Sequence, residues 1–157
     1  MFNLKKETYL KILFLLSFTI LFIAYFIQYF LGFQPCNLCI IERVPYILSL
    51  VVLICFYLFK KDLIFYNILL LLIFSFSFLI SFYHLGIEQG FFNESNLCIS
   101  TVSDLITKEE ILKSLKEINI SCKDVTFKIF GFSLTSYNVI ISIFMFLISI
   151  KIYLIND

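Results

Sequence analysis

The residues best suited to covalent chemistry are five cysteines: Cys36, Cys39, Cys55, Cys98 and Cys122. Two of them form the motif Cys36-Asn37-Leu38-Cys39. A disulfide at that spacing closes a very small loop, so it constrains the unfolded chain little and makes a poor staple. Thiol–disulfide exchange suits the pair better. A helix beginning here would favour the thiolate through its N-terminal amides. Arg43 lies four residues past Cys39, on the same helical face. A permanent cation beside a thiol favours its ionised form. Pro45 fits the first turn of such a helix, where a missing N–H costs little. The competing uses of the pair are half of a zinc site and a purely structural bridge. Ligand spacing does not point to zinc: there is no second Cys-x-x-Cys and no histidine pair, so no metal is expected. For Arg43 the competing use is as a headgroup anchor.

Cys98 and Cys122 are 24 positions apart in a polar segment. A disulfide closing a loop of that size contributes about 3 kcal/mol in the chain-entropy description, so a staple is the plain reading. A disulfide on a loop beside a reactive one is also a natural electron relay, since a thiolate can attack a disulfide sulfur. Four cysteines allow three connectivities, and the sequence suggests Cys36–Cys39 with Cys98–Cys122. Cys55 sits between Ile54 and Phe56 in an apolar run and reads as packing.

The elements that must position these residues belong in lipid. Of 157 residues, 61% are hydrophobic and 15% charged, with a mean hydropathy of +1.01. Soluble domains are about 45–50% apolar and about 25% charged. A folded chain of this size cannot hide so much apolar surface from water, and disorder requires low hydrophobicity. Twelve Lys and Arg against eleven Asp and Glu leave no basic face, so nucleic acid is not expected as a partner. Four apolar stretches stand out: residues 12–31, 44–59, 63–85 and 129–150. A bilayer core needs about 20 helical residues, with a range of ~17–25. The second stretch has 16 residues, so Arg43 or Lys60 is expected to snorkel at its ends. The first is too long for a signal-peptide core and lacks a small-residue cleavage site. No further domain is expected beyond the fourth.

Lys5, Lys6 and Lys11, the Lys60-Lys61 pair and Lys151 mark the cytoplasmic ends. Both termini are then inside. Residues 32–43 and 86–128 form two outer loops, which hold Cys36, Cys39, Cys98 and Cys122 in a compartment that permits disulfides. Thr107-Lys108-Glu109-Glu110 has capping-box form, and Ile111, Leu112, Leu115 and Ile118 follow at helical spacing. They predict a short amphipathic helix over about 108–120, lying on the membrane surface or packed on the protein. The expected class is a single all-α membrane domain over residues 1–157, a four-transmembrane-helix bundle with two periplasmic loops.

Gln34-Pro35-Cys36-Asn37-Leu38-Cys39-Ile40-Ile41-Glu42-Arg43 resembles the Pro-Cys-x-Leu-Cys-x-x-x-Arg signature of the disulfide bond formation protein B (DsbB) family. Tyr83-His84-Leu85-Gly86-Ile87-Glu88 is similar to that family's Tyr-His-x-Gly-x-Glu segment. Gly131-Phe132-Ser133 is similar to its Gly-x-Ser run before the last span. The chain departs from the pattern where Phe127 stands near a usual Trp, and where Thr135-Ser136 stands near a usual Pro.

The resemblance implies an enzyme of the bacterial inner membrane that reoxidises a periplasmic thioredoxin-fold oxidase of the DsbA type. Cys98 would form the mixed disulfide with that partner and Cys122 would resolve it. Electrons would move to Cys36 and Cys39, and from Cys39 to a quinone, ubiquinone or menaquinone, drawn from the membrane pool. Arg43 would stabilise the thiolate and the reduced quinone, and His84 and Glu88 would line the quinone pocket. The alternatives are a vitamin K epoxide reductase-like enzyme, a non-catalytic scaffold stapled by two disulfides, and a membrane thiol sensor. In the first of these the cysteine motif usually lies late in the chain, whereas here it follows the first span.

Overall fold

Lipid offers no partner to an open backbone group, so each long apolar stretch closes its hydrogen bonds internally, as a helix. The computed structural model describes residues 4–59, 62–93, 98, 122–123, 128–129 and 131–155. They form α1 (Leu4–Tyr29), α2 (Asn37–Ile41), α3 (Val44–Phe59), α4 (Leu63–Glu88), a minimal hairpin of β1 (Lys128–Ile129) and β2 (Phe132–Ser133), and α5 (Leu134–Leu154). Among the described residues, four helical stretches are long and apolar enough to cross a membrane: Lys6–Tyr29, Asn37–Phe59, Leu63–Glu88 and Leu134–Leu154. The all-α, four-helix membrane class is therefore the one the chain adopts. The amphipathic helix expected over 108–120 lies outside the described residues.

Three span starts differ most from expectation, and the ends at Tyr29, Glu88 and Leu154 by two to four residues. Helix α1 begins at Leu4 rather than near residue 12, because Lys and Glu are good helix formers and no breaker stands between Leu4 and Ile12. The second stretch, 16 residues by composition, reaches 23 because α2 runs almost directly into α3. The cysteine motif therefore rides on the helix end itself. The last span starts at Leu134 rather than 129, because residues 128–133 turn back on themselves. Gly131 takes φ +85° in that turn, and Lys128 pairs with Ser133. Ser133 then caps α5, its Oγ accepting the Ser136 N–H at 3.3 Å.

The bundle encloses small polar side chains among apolar ones and turns large apolar side chains outward, as its solvent requires. Ser17, Ser49, Ser77, Ser81, Ser142 and Ser149 are buried, while Phe18, Phe22, Leu72, Phe76 and Phe144 face outward. Small hydroxyl residues let helices approach closely and join them. Ser17 meets Ser49 at 2.8 Å between α1 and α3, and Ser77 meets Ser142 at 3.1 Å between α4 and α5. Asn67 donates to the Ser149 carbonyl at 3.1 Å along the α4–α5 seam, the most extensive in the bundle. Leu13, Leu53, Phe56, Leu70, Phe74 and Met145 fill the centre.

Helix α4 stops where the chain must turn toward Cys98. Gly90 adopts φ +79°, its N–H reaches the Ile87 carbonyl at 3.0 Å, and the Phe91 N–H reaches the Gly86 carbonyl at 2.8 Å. This is the paired closure of a Schellman end, which a left-handed glycine permits. The Phe92 ring then folds back over Gly86, where a side chain would collide with it.

Candidate redox site

Cys36 is the N-cap of α2, with extended backbone (φ −70°, ψ 168°), and its sulfur accepts the Cys39 N–H at 3.3 Å. One helical turn brings the Cys39 sulfur to 2.9 Å from that of Cys36. The sequence suggests a bridge between them; here both are thiols. Cys36 is buried and Cys39 half-buried. The hydrogen bond with Cys39 holds the Cys36 thiol well below the ordinary thiol range. Burial opposes this, and His84 adds to the lowering. Arg43, the cation expected to act beside the pair, turns toward α1. Its Nη1 donates to Gln28 Oε1 at 2.5 Å, and its guanidinium lies 4.9 Å from the centroid of the Tyr25 ring.

His84, from the end of α4, places Nε2 3.6 Å from the Cys36 sulfur. Its Nδ1 lies 2.9 Å from Glu42 Oε1. Glu42 is 7% exposed, which for a carboxylate requires pairing. Its second oxygen accepts Asn138 Nδ2 of α5 at 2.8 Å. Asn138 also reaches Ser81 at 2.8 Å and accepts the Tyr46 hydroxyl, which lies 3.2 Å from Ser142. A buried polar chain thus runs from the cysteine pair into the seam of α3, α4 and α5. Glu88 stands on its flank. It accepts the hydroxyls of Ser133 and Thr135, each at 2.6 Å, and Thr135 lies 3.5 Å from His84 Nδ1.

Cys98 and Cys122 are bridged, with Cα atoms 5.5 Å apart. Both are buried in one apolar cluster with Cys36, Leu38 and Ile87, against which Cys39, Ile41 and Tyr83 pack. Four cysteines, the first and last of them 86 positions apart, are thereby gathered at one end of the bundle. Cys55 stays apart, about 24 Å along the helix from Cys39 at 1.5 Å per residue. Cys55→Ser is expected to leave activity unchanged, which a direct comparison of turnover rates will show.

Sequence reasoning brought out Cys36, Cys39, Cys98, Cys122, Arg43, His84 and Glu88, but not Glu42, Asn138, Tyr46, Gln28 or Tyr25. Glu42 carried a usable signal, an acid directly beside an apolar span. Asn138 carried a weaker one, an amide inside a span.

Two comparisons bear on this arrangement. An uncharacterized protein of Rickettsia prowazekii (strain Madrid E), RP370, is 34% identical over 153 residues, covering 89% of this chain and 85% of that protein. The family model for disulfide bond formation protein DsbB matches residues 6–152, a stretch that takes in the cysteine pair, the bridged loop cysteines and every helix around them. With four of its cysteines gathered at one end of a four-helix membrane bundle, the chain belongs to the DsbB family of membrane disulfide-bond formation proteins.

Proposed function

We infer that this chain is a thiol:quinone oxidoreductase that reoxidises a DsbA-type oxidase. The observation that carries the reading is the clustering of the Cys98–Cys122 disulfide with the Cys36–Cys39 dithiol. In the first step a partner thiolate attacks the Cys98–Cys122 disulfide. A mixed disulfide forms at Cys98 as Cys122 leaves as the thiolate; the partner's own second thiol, not Cys122, then attacks the partner sulfur and expels Cys98, which leaves the partner oxidised and Cys98 and Cys122 as thiols. In the second, that dithiol reduces a Cys36–Cys39 disulfide, so the loop pair is bridged again and the motif pair becomes the dithiol.

The residues around Arg43 fit a quinone. A half-buried guanidinium supplies hydrogen-bond donors to a carbonyl oxygen, and the Tyr25 ring and Gln28 amide offer a flat face and a further polar group. A bound quinone supplies the acceptor for the two electrons and two protons of the Cys36–Cys39 dithiol. Arg43 stabilises negative charge on that side of Cys39, and His84, held by Glu42, favours the thiolate of Cys36. The resemblance assigns His84 and Glu88 to the quinone pocket. Their contacts support different tasks, His84 serving Cys36 and Glu88 fastening the start of α5 to the end of α4.

Lysine placement supports both termini in the cytoplasm and the cysteine end in the periplasm of the bacterial inner membrane. Labelling Cys36 and Cys98 on opposite sides of the bilayer would overturn that orientation. The deciding experiment adds reduced DsbA-type protein to the purified chain with and without quinone. Quinone-dependent oxidation supports the reading; partner binding without turnover supports the scaffold or the sensor. Arg43→Ala is expected to raise the apparent KM for quinone about tenfold, the loss of one charge-assisted hydrogen bond. An unchanged KM removes Arg43 from the quinone site.

A further inference from the structure

The tertiary fold completes a ligand set that the linear sequence lacks. Cys36 Sγ, Cys39 Sγ and His84 Nε2 all lie within 4.8 Å of one another. The 3.6 Å between Cys36 Sγ and His84 Nε2 is already the edge of a tetrahedron: metal–sulfur and metal–nitrogen bonds of about 2.3 and 2.05 Å give an edge of about 3.6 Å. The two sulfurs, 2.9 Å apart, must open. Two thiolates on zinc stand about 3.8 Å apart, so that edge of the tetrahedron is reached by an opening of about 0.9 Å. Cys39 is the half-buried member and can make that rotation.

The imidazole is oriented for the task. Its Nδ1 faces a Glu42 oxygen at 2.9 Å, which aims Nε2 at the cysteines, so that loss of the Nε2 proton to solvent opens a lone pair for a metal there. A carboxylate behind a histidine is the usual outer support of a metal ligand. Asn138 in turn fixes Glu42. Two thiolates balance the charge of a divalent cation, so the occupied site adds no net charge to a buried region.

We propose that the reduced Cys36–Cys39 pair and His84 Nε2 form a three-ligand site for a thiophilic divalent cation of the zinc type. Binding exchanges two protons of the Cys36–Cys39–His84 group for the metal, moves no electrons and leaves a fourth position to water. Both sulfurs are then withdrawn from disulfide exchange, so the metal holds the protein in its reduced form until it is removed. This site depends only on the dithiol and stands whether or not quinone is the electron acceptor.

The test uses the full chain in detergent, reduced under inert gas, with Cys98→Ser and Cys122→Ser removing the other thiol pair. Co2+ added to this protein is expected to give sulfur-to-metal charge-transfer and tetrahedral d–d bands at one metal per chain. Zn2+ should displace it in competition with a chromophoric chelator. Glu42→Gln should weaken Zn2+ binding about 10–100-fold, the usual effect of losing an outer-shell partner. His84→Ala should weaken it more, and His84→Cys, which restores a soft third ligand, should retain the tetrahedral spectrum. An octahedral spectrum overturns the proposal, as does affinity unchanged by His84→Ala. Loss of tetrahedral binding in His84→Cys as well as His84→Ala overturns the placing of a ligand at this position.

Discussion

Replacing Cys39 with serine is expected to lower steady-state oxidation of a reduced DsbA-type partner by about a thousandfold or more, the scale of losing a reacting nucleophile. A single turnover should survive. The Cys98–Cys122 disulfide remains able to accept one electron pair from the partner. Cys36 alone cannot form the second bridge, so the loop pair stays reduced and the chain stalls. Rapid-quench measurement of partner oxidation should therefore show a burst of one equivalent per chain, followed by almost nothing. Normal turnover would refute the route through the motif pair. Absence of the burst would place the first electron acceptor elsewhere than Cys98 and Cys122.

The second large effect concerns Glu42, which no motif marks. Glu42→Ala removes the acceptor of the Asn138 amide and the partner of His84 Nδ1 in one step. Breaking a buried pair on one side costs about 3–5 kcal/mol, because the remaining polar groups stay desolvated. Glu42→Gln preserves the shape and keeps one acceptor oxygen for one of the two donors, so its cost should fall to about 1–3 kcal/mol. Unfolding in mixed micelles will measure both. Turnover of Glu42→Gln should nonetheless drop roughly a hundredfold, within the range for losing a group that governs proton position. The loss should appear in kcat rather than in the KM for quinone, which separates Glu42 from Arg43. If Glu42→Ala unfolds within about 0.5 kcal/mol of the parent chain, the usual range for surface changes, the buried network is not what holds α3, α4 and α5 together.

The membrane class and the two cysteine pairs were legible in the sequence because each depends on local facts. A span is announced by the hydropathy of its own residues, and the Cys36-x-x-Cys39 spacing already lets the two sulfurs meet within one turn. The side chains flanking a span are ambiguous, so its ends were not legible. Lys5 and Glu7 tolerate helix as readily as loop, and whether residues 129–133 continue a helix depends on a turn at Gly131.

What only the tertiary structure decided is which distant polar residues meet. Glu42 caps the end of α2 while His84 and Asn138 lie on α4 and α5, and nothing in their sequence spacing ties them together. In lipid, a buried carboxylate must find its partners on whichever helices pack beside it, and that packing is set by the fit of whole helix faces. The same cause sends Arg43 to Gln28 and Tyr25 of α1 while its neighbour Glu42 faces α4 and α5. The residues able to carry exchange chemistry are recognisable from their types. Which of them touch was settled by how the four helices lean on one another.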